Sequence, residues 1–314
     1  MDAGPSHLTF QMSDSSPIRL SVIVPAYNYG DRLQQSLTSV LAQMSPAVEL
    51  IVVDDGSTDN TALVIQELQR TWGAAFSYFR QANSGAASAR NQGLRLSRGS
   101  HVLFLDADDE LMPGSIQAVC LYLARHPETD LLLGGHLSCY MDGREKVYRP
   151  VLPQTKVEKR VADYLVHKRI SLGHGSFVAR KSLFAQRPYP EHLRQREDIP
   201  VFAHLIAQAH IGCIDHLMVR VNKHSGSLRH KNFGMTEGCG DFIDEVFRTL
   251  PSVCQPMRSS YAANRCLSLL RNALEAGEKD AARRYFREAL HLDWRQAVRV
   301  RNLRKALRAW LSGR

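Results

Sequence analysis

Three carboxylates crowded behind a short apolar run are the residues of this chain best suited to chemistry. Val102-Leu103-Phe104-Leu105 leads straight into Asp106-Ala107-Asp108-Asp109. A buried strand cannot end on unpaired negative charges, so these side chains must meet solvent, a cation, or a ligand bridged by a cation. Carboxylate oxygens suit Mg²⁺ or Mn²⁺, which bind through one or two protein carboxylates plus the phosphates of a substrate. A nucleotide diphosphate is therefore the expected ligand. On an extended backbone Asp106 and Asp108 would share a face; the turn beyond the strand is expected to send one to a ribose and the other to the metal. A purely structural reading has Asp109 and Glu110 opening a helix signalled by Pro113.

Other polar motifs carry weaker signals of the same kind. Asp54 or Asp55, ahead of Gly56, could accept hydrogen bonds from a base or ribose, while an Asx turn with Ser57 or Thr58 capping the next helix explains the same residues. Asn83-Ser84-Gly85-Ala86-Ala87-Ser88-Ala89-Arg90-Asn91 places small residues at a helix start, where backbone N–H groups favour an anion and Arg90 can pair a carboxylate. Glu197-Asp198 fits charge at a helix N-terminus or, with burial and a neighbouring carboxylate raising the pKa of Asp198, a general base for a sugar hydroxyl. His224, beside Lys223, suits a metal or a phosphate. His174, in Gly173-His174-Gly175-Ser176, is a candidate for the acceptor side.

Those motifs must be positioned by something, and the pattern around them is strand and helix in turn. Strands are expected at Ile18–Val24, Val48–Val53, Phe76–Phe79 and His101–Leu105, with helices at Asp31–Gln43, Thr58–Arg70 and Ser84–Leu96. Such alternation implies parallel βαβ units, in which ligands bind beyond the carboxyl ends of the strands. The motifs after the first, second and fourth strands fall at those ends, so one crevice can collect them. Beyond Pro127 the rhythm weakens to short strands and loops, with a helix after Asp198. From about Met235 the chain reads as helical: Asp241–Leu250, Ser259–Ala276, Lys279–Leu290 and Arg295–Leu311.

Composition narrows the classes. With 314 residues, 44% hydrophobic and 23% charged, the chain is of ordinary globular type and can bury a sizeable core. Six scattered cysteines without a C-x-x-C pair point to neither zinc nor a disulfide framework, and a reducing cytoplasm is expected. Neither a signal peptide nor a membrane-spanning run is recognisable. The net charge of +9 is concentrated at the end, where residues 295–314 hold seven Arg or Lys and no acid. There Val300, Leu303, Leu307, Trp310 and Leu311 form one stripe. Such a basic amphipathic helix can lie on an anionic membrane surface or dock on the core with its basic face in water. No G-x-G-x-x-G, P-loop, G-x-S-x-G or H-E-x-x-H motif is present, which argues against the corresponding enzyme classes. The aromatics form no stacking platform for nucleic acid.

Taken together, Val22 through Asn28, Val52 through Asp59, Asn83 through Asn91 and Phe104 through Asp109 resemble the family 2 glycosyltransferases in motif, order and spacing. The resemblance spans roughly residues 18–115 and returns at Glu197-Asp198 and around His224. It implies an α/β fold, a GT-A (Rossmann-like, nucleotide-diphospho-sugar transferase) domain with a C-terminal helical extension. The expected layout is a disordered 1–17, a GT-A domain over 18–230 (nucleotide-sugar half 18–115, acceptor half 116–230), and a helical 231–314. It also implies an inverting, metal-dependent transferase that uses Mg²⁺ or Mn²⁺ and moves a sugar from a nucleotide-diphosphate donor, expected to be a UDP-sugar, to a glycan or lipid-linked glycan. By motif position, Pro25, Tyr27, Asp54 and Asp55 correspond to the nucleotide pocket, Arg90 to the arginine near the donor phosphates, and Asp106 to the ribose or sugar contact, with Glu197 beside them. Asp108 corresponds to the metal ligand, His224 to a second ligand of the metal or diphosphate, and Asp198 to the catalytic base. The expected setting is bacterial cell-surface polysaccharide or lipopolysaccharide synthesis, in the cytoplasm and peripheral to the inner membrane face. The alternative is a catalytically silent nucleotide-sugar sensor or scaffold.

Overall fold

The computed structural model describes residues 19–224 and 239–299, together with 302, 303, 306, 307 and 310. The expectation of disorder over 1–17 and the boundary at 230/231 fall outside the described residues. Strand and helix alternate through β1 (Leu20–Ala26), α1 (Gly30–Leu41), β2 (Val48–Asp54), α2 (Thr61–Trp72), β3 (Ser77–Arg80), α3 (Ala86–Leu96) and β4 (His101–Phe104). β1 pairs in parallel with β2 and β4, and β2 with β3. Leu20, Val22 and Val24 pack with Leu33 and Leu37 of α1 and Ile65 of α2, whereas Ile23 packs on the other face with Ala87 and Leu94 of α3. Helices on both faces explain why these strands read as unbroken apolar runs.

Pro25, expected just past the first strand, lies inside it, opposite Val53. β4 parts from β1 after the Ile23–Phe104 pair, so Pro25 has a strand neighbour on one side only, where proline is tolerated.

The second half follows as β5 (Glu110–Leu111), α4 (Ser115–Arg125), β6 (Leu131–Cys139), β7 (Glu145–Tyr148), α5 (Val157–Leu165), β8 (Phe177–Arg180), α6 (Lys181–Gln186), α7 (Asp198–Gln208) and β9 (Ile211–Asn222). Here the structure departs from the expectation of short strands: β6 runs for 9 residues and β9 for 12. They pair in parallel with register shifts around Gly135, and such irregularities break the period that makes a strand legible. β8 runs antiparallel to both β4 and β6. The result is one mixed nine-stranded sheet, ordered β3-β2-β1-β4-β8-β6-β9-β5 with β7 beside β6.

The C-terminal helices are α8 (Cys239–Phe247), α9 (Arg258–Glu275) and α10 (Lys279–Ala297). Phe242, Ile243 and Val246 of α8 and Tyr261 of α9 enter the same core as Val161, Phe177 and Phe202, so this region is seated on the sheet domain. The rest of α9 packs on α10 around Ala263, Leu270, Ala282 and Ala289. α10 breaks at Asp293 (φ −158°, ψ 92°), within the gap expected between its two helical stretches. There Asp293 accepts the Gln296 N–H at 3.3 Å and the Ser260 hydroxyl at 2.5 Å, which restarts the helix with a cap. Among the described residues no helix is long and apolar enough to cross a membrane.

Candidate active site

The loops after β1 and β2 are stitched to one another. Asn28, at φ 56°, accepts the Thr58 N–H at 2.8 Å on its side-chain oxygen, while its own N–H reaches the Ser57 hydroxyl at 3.0 Å. Asparagine tolerates this left-handed conformation better than most residues. Asp59, not Ser57 or Thr58, serves the start of α2, accepting the Thr61 N–H at 3.0 Å. The Gly30 N–H also donates to Asp59, at 3.0 Å.

The two aspartates after β2 turn out to have different surroundings. Asp54 is fully buried, accepting the Ser57 N–H at 2.8 Å and the Tyr78 hydroxyl at 2.8 Å, with Arg80 at 3.5 Å. These bonds engage the carboxylate in holding the strand ends. Asp55 accepts from Gln81 Nε2 at 2.8 Å and from the N–H groups of Ser84 and Gly85 at 2.9 and 2.7 Å, so it fixes the entrance to α3. Gly56, at φ 78°, lets that loop come close; a Cβ there would stand 2.8 Å from the Asn83 nitrogen. Tyr27 remains 45% exposed at the mouth of the same loops.

Arg90 of α3 joins distant parts of the chain. Its guanidinium donates to Asp106 at 3.1 Å and to Glu197 at 2.8 Å, and it lies 5.4 Å from the Tyr189 ring centre. Burial opposes its charge, but the two carboxylates outweigh that and raise its pKa. The side chain is 7% exposed, so it is a clamp rather than an open anion grip. Asp106 also has His174 Nδ1 at 3.5 Å, and His174 Nε2 meets the Tyr189 hydroxyl at 3.0 Å. Burial alone would raise the Asp106 carboxyl; His174 and Arg90 together hold it well below the usual carboxylate range.

Beyond β4 the chain turns, with the Asp109 N–H bonded to the Asp106 carbonyl at 3.0 Å, and the three carboxylates separate. Asp108 meets His224 Nε2 at 2.8 Å, with Tyr29 edge-on to the imidazole at 6.1 Å between ring centres. Burial, then Asp108 and Asp106, raise the Tyr29 phenol. Asp109 accepts the Asn222 N–H at 2.9 Å; burial foremost, then repulsion from Asp106 and Asp108, pushes it up to about 8. Asp109 and Glu110 do not open a helix: Glu110 belongs to β5 and α4 begins at Ser115.

Asp198 is the first residue of α7, next to Glu197 on its clamp. Burial raises its pKa most, opposed by His174 and reinforced by Glu197. Arg90, Asp106, His174, Tyr189, Glu197 and Asp198 thus form one connected cluster, and Asp108 with His224 adjoins it through the turn at 106–109. Tyr29, Tyr189 and Asn222 carried no motif in the sequence. Only the small-residue loop around His174 offered a signal.

A divalent ion held chiefly by substrate phosphates needs one or two protein ligands. Asp108 Oδ2 and His224 Nε2 converge to 2.8 Å; the carboxylate is the ligand type suited to Mn²⁺ or Mg²⁺, while imidazole is more typical of softer ions. The described residues contain no cluster of three or more ligating side chains. The pair fits an ion completed by a diphosphate, not a self-sufficient metal cage.

The family model described as glycosyl transferase family 2 matches residues 21–186, more than half of the chain. The E. coli K12 protein YibD, described as an uncharacterized glycosyltransferase, is 40% identical over 102 residues, covering 32% of this chain and 28% of its own. Glycosyltransferase GlyG of Streptococcus pneumoniae is 22% identical over 244 residues, 75% of this chain and 80% of its own. The chain spans only 28–39% of the length of YibD and two further curated relatives. The crystal structure of S. aureus TarS 1-349 in complex with UDP-GlcNAc superposes with a TM-score of 0.56 at 22% identity, covering 93% of this chain and 79% of that one. That likeness shows the shared GT-A fold.

Proposed function

The chain belongs to glycosyl transferase family 2, and from that premise we propose that it moves a sugar from a UDP-sugar to a hydroxyl of a glycan, with inversion at the anomeric carbon. The observation that carries this reading is that Arg90 pairs with both Asp106, just beyond β4, and Glu197, next to Asp198, while the same turn after β4 presents Asp108 paired with His224. UDP is chosen because the TarS structure of similar fold holds UDP-GlcNAc. In this reading Tyr27 and Pro25, with the loop fixed by Asp55, take the nucleotide, and Asp106 takes a ribose or sugar hydroxyl.

In this mechanism Asp198 takes the proton of the acceptor hydroxyl while that oxygen attacks the anomeric carbon. The bond to the diphosphate breaks on the opposite face and the leaving group departs with the electron pair, so one base is enough. Asp108 and His224 would hold Mg²⁺ or Mn²⁺, which supplies charge neutralisation at the departing diphosphate. Arg90 and His174 keep Asp106 ionised and oriented. The wider setting we propose is synthesis of a bacterial cell-surface polysaccharide or lipopolysaccharide at the inner membrane face, supported by the seven cations and no acid of residues 295–314.

Thermal shift with UDP-, GDP- and dTDP-sugars in the presence of Mn²⁺ tests the donor, since a ligand that binds only the folded state raises its stability. Stabilisation by UDP-sugars is expected; none from any donor removes the reading. Asp198→Asn should keep that shift and lose transfer by at least ~10²-fold, and near-normal turnover would overturn the base assignment. Wild-type protein that binds donor yet turns over with no acceptor would favour the silent sensor.

A further inference from the structure

A second hollow lies behind the loop that carries His174. It encloses about 360 Å³ between β6, the end of β7 and the turn after α5. Arg149, Lys168, Arg169 and His136 line it, and no carboxylate does. Arg169 is paired with Asp163 at 3.1 Å and Arg149 with Asp215. The Lys168 ammonium instead stands over the rings of Tyr164 and Tyr261, 5.8 Å from each centre. One wall is aromatic: Tyr148 stacks on His136 at 4.5 Å and 10°, with the Lys146 ammonium 4.6 Å from the Tyr148 centre.

The hollow shares a wall with the active site. In the loop at 173–176 the Gly175 N–H bonds to the Phe104 carbonyl at 2.6 Å, on the side of His174 and Asp106, while the Ser176 carbonyl accepts the Gly134 N–H at 2.9 Å on the side of the hollow. Lys168 at φ 56° and Arg196 at φ 59° are both held in the left-handed region. Non-glycine residues stay there only when their surroundings impose it, often at functional sites. Burial foremost, then Arg196, lowers the Lys168 pKa while Asp198 opposes the shift, which couples this wall of the hollow electrostatically to the base.

We infer that this hollow is an acceptor subsite that takes an acidic group, a carboxylate or a phosphodiester, on the saccharide whose hydroxyl Asp198 deprotonates. Arg149, released from its exposed partner Asp215, receives the negative charge together with Lys168. The inference rests on the assignment of Asp198 as base.

Calorimetric titration of the full chain with tetragalacturonate, a glycerol phosphate tetramer and neutral maltotetraose, each with and without saturating UDP, tests it. At least one acidic tetramer should bind about tenfold more tightly than maltotetraose, and UDP should not displace it. Lys168→Gln should reduce that preference roughly 5–10-fold, the share of one charge-assisted hydrogen bond at a half-open site. Arg149→Gln should act in the same direction, while Arg70→Gln, an equal change of net charge on the exposed face of α2, should leave it intact. The inference is overturned by equal affinity for acidic and neutral tetramers, by displacement with UDP, or by an equal effect of Arg70→Gln. Failure of UDP itself to bind would count against the donor reading alone, because the saccharide titrations are read separately.

Discussion

Asp198 sits where burial, more than any neighbouring charge, sets its proton affinity. A base works only when ionised. Its raised pKa therefore places the acid limb of kcat/KM above the ordinary aspartate value of about 3.9, with activity rising as pH climbs through the limb. A pH–rate profile with its acid limb at or below that value would contradict the burial argument. At this scale the motif pattern singled out Asp106, Asp108, Arg90 and Asp198 as a set; Arg90 bonds Asp106 and Glu197, the neighbour of Asp198, while Asp108 pairs with His224. It did not separate Asp54 from Asp55, because adjacent acids look alike in sequence while one faces Tyr78 and the other the loop before α3. Tyr189 was illegible for a related reason: its place over Arg90 depends on the loop after α6, distant in sequence, that the fold brings back against α3.

α3 can deliver Arg90 because it presses closely on β1. A Cβ at Gly93 would stand 2.3 Å from Ile23 Cγ2, so Gly93→Ala should cost about 1–3 kcal/mol in denaturant unfolding and loosen the clamp. A cost below ~0.5 kcal/mol would show that the helix can shift freely. A second tie joins strand ends: Asp130 accepts from Arg180 at 2.5 Å and from the His210 N–H at 3.0 Å. Burial would raise this carboxyl, but those donors outweigh it and lower its pKa. A lowered folded-state pKa contributes stability that is complete above the unfolded value near 4 and lost as pH falls through the folded value. Asp130→Asn should accordingly lose about 1–2 kcal/mol at pH 7 and progressively less below about pH 4; a pH-independent loss would point to shape rather than charge. The buried strands β1, β2 and β4 were legible because each is dominated by apolar residues and flanked by turn residues. β6 and β9 were not, since their register shifts interrupt any simple period.

At the end of the described residues three side chains pack on the C-terminal helices. Asn302 is 5% exposed and donates to the Gln296 carbonyl at 2.9 Å, Ala306 is buried, and Trp310 meets Phe286 edge-on at 5.9 Å. Asn302, Ala306 and Trp310 thus lie against α9 or α10, while Leu303, Leu307 and Trp310 stay 37%, 53% and 42% exposed. Val300 and Leu311 of the foreseen stripe lie outside the described residues. Docking and membrane contact are therefore compatible, each using part of the stripe. Deleting residues 298–314 should abolish flotation with vesicles of anionic lipid, and added salt should weaken the binding of the intact chain. Unchanged flotation after deletion would remove the membrane proposal.

The amino-acid sequence alone determined the βαβ order, the apolar strands and the acidic residues placed at their ends, because period and polarity are local properties. Tertiary structure alone decided which acids face each other. Arg90 finds Asp106 16 residues away and Glu197 107 away, and Asp108 finds His224 116 away. Such pairings depend on how a mixed sheet brings its two halves together, and no window of neighbouring residues contains that information.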